Sequence, residues 1–70
     1  MDMVLRSFNV VKDGKTISHY ELFKRGSVRE IRTSTEVIYT GAYAEQEFRN
    51  CLETNKQIAS MIGAEVVIEK

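Results

Sequence analysis

The 70-residue sequence has no proline, one cysteine (Cys51) and one histidine (His19), and its ten basic and ten acidic side chains cancel. Each shortage removes a class of protein. A single cysteine cannot close an intrachain disulfide, and one cysteine with one histidine cannot assemble a Cys/His zinc set. A net charge of zero lacks the electrostatic signature of proteins that bind nucleic acid or anionic membranes. No apolar run approaches the roughly 20 residues that span a bilayer. The N-terminal Met-Asp-Met-Val-Leu-Arg has no basic stretch followed by a long apolar run, as a signal peptide requires. The expected setting is a reducing cytoplasm without membrane contact. There is also no glycine-rich phosphate loop, nucleophile elbow or paired-histidine metal motif. No cofactor, metal or catalytic residue is therefore expected, and the chain does not read as an enzyme.

At this length one domain, residues 1–70, is expected. A chain so short buries only about 60% of the surface its unfolded form exposes, and its core needs help from a disulfide, a metal or self-association. With the first two excluded, self-association remains. Charge is unevenly spread: residues 1–35 carry seven cations against four anions, and residues 36–70 three against six.

With proline absent, the four glycines at 14, 26, 41 and 63 are the main punctuation. Residues 4–11 and 16–23 are β-prone runs around Asp13-Gly14, a pair that tolerates positive φ and marks a hairpin. A two-residue loop pairs Val10 with Ile17, Phe8 with His19, Arg6 with Glu21 and Val4 with Phe23, and this face is expected to be the core. The opposite face then carries Leu5 with Leu22, Ser7 with Tyr20, Asn9 with Ser18 and Val11 with Thr16. For the next turn, a three-residue loop of Lys24-Arg25-Gly26 sets Glu21 against Arg29, whereas a loop of Arg25 and Gly26 sets Glu21 against Glu30; charge favours the longer loop. Residues 28–33 form a third strand and residues 36–40 a fourth, separated by a bend at Thr33-Ser34-Thr35, unless 28–40 is one long strand.

From Ala42 the apolar period changes from two to 3.6. Ala44, Phe48, Cys51, Leu52, Asn55, Ile58, Ala59 and Ile62 share one stripe, which predicts an amphipathic helix capped by Thr40 or Gly41 and stopped at Gly63. About 21 residues at 1.5 Å each make it roughly 31 Å long, enough to overhang the sheet. Val66-Val67-Ile68 is a short strand that either rejoins the sheet parallel to the fourth strand or pairs with a second copy. The expected class is α+β: an antiparallel sheet of three to four strands made by two consecutive hairpins, one long amphipathic helix and a short C-terminal strand, in the order ββββαβ.

His19 and Cys51 both point into the layer between sheet and helix in this reading, as packing residues. Met61 and Met1 or Met3 are read as core filling. One helix covers one face of a sheet, so the face bearing Leu5, Val11, Tyr20 and Leu22, with Arg29 and Arg32 nearby, is the expected interaction surface. The function that follows is a non-catalytic interaction or regulatory module acting as a homodimer, with another protein as a further partner. The alternative is a weak binder of single-stranded nucleic acid that stacks bases on Tyr20 and holds phosphates with Arg29, Arg32 and the loop lysines.

Overall fold

Asp13 and Gly14, at φ +52° and +76°, close the first hairpin with a two-residue turn. In the computed structural model, which describes residues 2–70, this turn joins β1 (Met3–Lys12) to β2 (Lys15–Arg25). β3 (Val28–Thr33), β4 (Val37–Thr40), α1 (Ala44–Ile62) and β5 (Glu65–Ile68) follow. The predicted order ββββαβ is the one observed. The five strands form one antiparallel sheet in the order β4-β3-β2-β1-β5, with the helix on one face.

Two bulges set the register of the central pair. Val11 faces Thr16 as the turn dictates, but Ile17 is then an extra residue on β2, so Val10 faces Ser18. Phe8 consequently faces Tyr20, Asn9 faces His19 and Arg6 faces Leu22, until a second extra residue, Leu5 on β1, restores Val4 opposite Phe23. The expected pairings Phe8 with His19 and Arg6 with Glu21 are thus replaced. The physical reason is burial: the offset brings Tyr20 and Leu22 onto the same face as Phe8 and Val10 and turns His19, Glu21 and Phe23 outward. Leu22 and Phe8 are wholly buried. Phe8 stacks on Tyr20 with ring centroids 5.2 Å apart and meets Phe48 edge-on at 5.5 Å. Such pairs add roughly 0.5–1.5 kcal/mol to simple burial.

The second turn is Gly26-Ser27, with Arg25 opposite Val28, and not either loop expected from charge. Gly26, at φ +61°, occupies the first central position, where a type II′ turn needs glycine. The Asp2 carboxylate accepts its N–H at 3.0 Å. Glu21 therefore faces Arg32. The bend at residues 33–35 does separate β3 from β4. There the Thr33 hydroxyl accepts the N–H groups of Thr35 and Glu36 at 3.3 and 3.1 Å, an arrangement that satisfies the turn locally. On β4, Ile38 is a third extra residue, between the pairs Ile31 with Tyr39 and Arg32 with Val37.

The helix buries Ala44, Phe48 and Ala59 against the sheet, and Cys51 and Leu52 pack partly on the same core. Its N-cap is Tyr43, without a side-chain hydrogen bond, where Thr40 or Gly41 was expected. Gly63 ends it at φ +72°, its N–H donating to the Ala59 carbonyl. Ile58 and Ile62 lie on the apolar stripe of the helix and are nonetheless exposed. Met61 is 82% exposed and Met3 is also exposed, so neither fills the core, and Met1 lies outside the described residues. β5 pairs antiparallel with β1 on the far edge of the sheet, within the chain and not parallel to β4. Val66 opposite Val10 packs on the core, which is the gain that draws it there.

Leu22→Ala is expected to lower stability in urea unfolding by about 2–5 kcal/mol, the usual cost of such a cavity. Ile17→Ala, at an exposed bulge, is expected to cost about 0.5 kcal/mol or less. The reverse order would restore the pairing of Val10 with Ile17 and overturn the register.

Candidate functional site

Alternation along β1, β2 and β3 places Asn9, His19, Glu21, Phe23, Arg25, Glu30 and Arg32 on the sheet face away from the helix. Glu21 is the hub. Its Oε2 accepts a hydrogen bond from Arg32 at 2.7 Å, and its Oε1 lies 3.4 Å from His19 Nε2. His19 Nδ1 lies 2.6 Å from Asn9 Oδ1 and 3.6 Å from the Glu69 carboxylate. The Arg32 guanidinium lies over the Phe23 ring at 3.7 Å from its centroid, with Arg25 at 5.4 Å. Arg25 also donates to Glu30 at 3.2 Å. Glu30 is buried, and a carboxylate in that position needs such a partner. The centre of the open face is therefore an interlocked set of polar and charged side chains from β1, β2 and β3, joined by Glu69 beyond the end of β5. Among the described residues no buried side-chain polar atom lacks a hydrogen-bond partner.

The six residues expected to share one interaction surface are divided between two faces. Leu22 is core, Tyr20 is stacked on Phe8, and Leu5 packs against the same cluster, so these three do not form an outer face. Arg29 lies on the helix side, 3.8 Å from Glu45. Val11 and Arg32 are on the open face. The cause is the one-residue offset, which exchanges the two sides of β2 while leaving β1 as expected from Arg6 to Val10. Sequence reasoning missed the Glu21–Arg32–Phe23 stack. A signal was present: reading Gly26-Ser27 as the turn places Glu21 opposite Arg32 directly.

His19 and Cys51 are likewise separated. Asn9 pairs with His19 on the open face, whereas Cys51 lies on α1, so the sheet stands between them. Burial pushes the Cys51 thiol up from its ordinary value, and a hydrogen bond from Asn55 offsets part of that rise. Asn55 Nδ2 donates to the Cys51 carbonyl at 2.8 Å and lies 3.5 Å from its sulfur. Among the described residues no three His, Cys, Asp or Glu side chains are placed to hold a metal ion, and no helix is long and apolar enough to cross a membrane.

One uncovered apolar strip lies along the helix. A groove of about 340 Å³ between α1 and the β3–β4 edge is lined by Ile31, Ile38, Tyr39, Cys51, Thr54 and Asn55, among others. From Cys51 and Asn55 the same stripe continues to Ile58 and Ile62, with Met61 beside them. Comparison of the chain with protein-family models, curated proteins and solved structures gave no match.

Iodoacetamide is expected to alkylate Cys51 at neutral pH more slowly than it alkylates glutathione, because less thiolate is present. The raised folded value also means that the stability tied to this thiol is complete below about pH 8.5, where the unfolded thiol titrates, and is lost as pH rises through the folded value. Alkylation faster than that of glutathione would show an activated thiol instead.

Proposed function

We propose that the protein is a non-catalytic interaction module that works in the cytoplasm as a homodimer, joined through the helix stripe that its own sheet does not cover. The supporting observation is the run Cys51, Asn55, Ile58, Ile62 with Met61 alongside and Ile38 across the groove, exposed at its outer end although its spacing is that of a core-facing stripe. A stripe repeating at three and four residues is self-complementary about a two-fold axis, so the same patch serves both copies. Asn55 suits the centre of such a contact, since a polar side chain on an apolar seam fixes register. Self-association also supplies the burial that a short chain without disulfide or metal is short of. A lone cysteine fits a reducing compartment.

The nucleic-acid reading has no comparable support. Tyr20 is stacked in the core, and Arg32 and Arg29 already face Glu21 and Glu45.

Light scattering is expected to give the mass of a dimer at micromolar concentration, unchanged by high salt because the seam is apolar. Ile58→Glu with Met61→Glu is expected to give a folded monomer, with its helical circular dichroism retained. A wild-type monomer at high micromolar concentration, or a double variant that remains dimeric, would overturn the proposal.

A further inference from the structure

Lys24 on β2 faces Arg29 on β3, and alternation from the core pair Leu22 with Ile31, two residues along, puts both cations on the helix side of the sheet. Like charges directly opposite in a ladder repel, so this pair works against the hairpin it sits in. A cavity of about 500 Å³ opens beside it, lined by Lys24, Ser27, Val28, Arg29, Gly41 and Ala42, with no carboxylate among them. The Gly41 N–H donates to the Arg29 carbonyl at 3.2 Å and ties two sides of the cavity together. Lys24 is half-buried, and among the described residues it takes part in no ion pair. Arg29 meets Glu45 through Nη1, at 3.8 Å, and a guanidinium with five N–H donors has others to offer. Asp2, which reaches the same hairpin turn, accepts the Gly26 N–H. Around this cavity two cations face each other with one loosely held carboxylate, an imbalance that a bound dianion corrects.

We propose that this cavity binds a small phosphate monoester, its phosphate between Lys24, Arg29 and the Ser27 hydroxyl and its organic part against Val28 and Ala42. The cations supply charge-assisted hydrogen bonds to the phosphate oxygens. The volume falls within the range of small-molecule sites, roughly 300–1,000 Å³, and leaves room beyond the phosphate itself. Two cations hold one compact dianion; tracking a nucleic-acid strand takes a longer row of them with rings to stack on. None of the lining residues belongs to the helix stripe, so this site is independent of the proposed dimer seam.

The probes are glycerol 3-phosphate and inorganic phosphate, each titrated into the isotopically labelled protein at an ionic strength held constant with sodium chloride and followed by amide chemical shifts. Glycerol 3-phosphate is expected to give saturable shifts confined to residues 24–29 and 41–43, and inorganic phosphate to move the same residues with weaker affinity. Lys24→Met, which keeps the stem and removes the charge, is expected to weaken binding about tenfold, the size of one charge-assisted hydrogen bond. Lys15→Met, at the other hairpin turn, is expected to leave it unchanged. Shifts that do not saturate in the millimolar range, inorganic phosphate binding as tightly as the ester, equal binding by wild type and Lys24→Met, or the same loss in Lys15→Met would each overturn the proposal.

Discussion

Phe8 stacks on Tyr20 and meets Phe48 edge-on because β1 and β2 are held one residue out of step between two bulges. That offset is the constraint on which the remaining structure depends. It gathers Phe8, Val10, Tyr20 and Leu22 on the face that the helix covers, so that a single helix can complete the core. By the same motion it turns Glu21, His19 and Phe23 outward, where Arg32 and Asn9 are waiting. It also leaves Arg6 on the helix side without the carboxylate that an unbulged ladder would place opposite it. The core and the open face are two consequences of one displacement.

Coverage is the second theme. Five strands are wider than one helix, and α1 seats only Ala44, Phe48 and Ala59 fully. Both its flanks are grooved, one toward β3 and β4 and the other toward β1 and β5. The two grooves differ in chemistry. The first runs into an apolar helix end, which suits a second apolar surface; the second is walled by Phe8, Phe48, Leu52 and Ile68 with Arg6 among its lining residues. The open sheet face, by contrast, has its charges paired internally at its centre, and a surface whose charges are already matched offers less to a charged partner.

Much of the candidate site was legible in the residues, though not where it would lie. Ile58 and Ile62 belong to the stripe read from the 3.6 period, although that period does not tell that they stay exposed. Arg32 stands out in the sequence, but as part of an interaction surface or, in the alternative reading, as a phosphate contact, because its partner depends on whether the turn is placed at Lys24 to Gly26 or at Gly26-Ser27. Tyr20 and Leu22 were assigned to an interface because a period-two pattern gives two faces without saying which is inner, and one inserted residue exchanges them.

The sequence by itself determined the elements and their order. The Asp13-Gly14 turn, the change of period at Ala42 and the stop at Gly63 act through local φ preferences and short-range patterns, which no distant contact is needed to read. Only the tertiary structure decided the register, the seat of β5 and the company each charge keeps. Those depend on the bulges at Leu5, Ile17 and Ile38. A bulge leaves no local mark in the residues, because its benefit, the joint burial of Phe8, Tyr20 and Leu22 under Phe48, is collected between segments far apart in the chain.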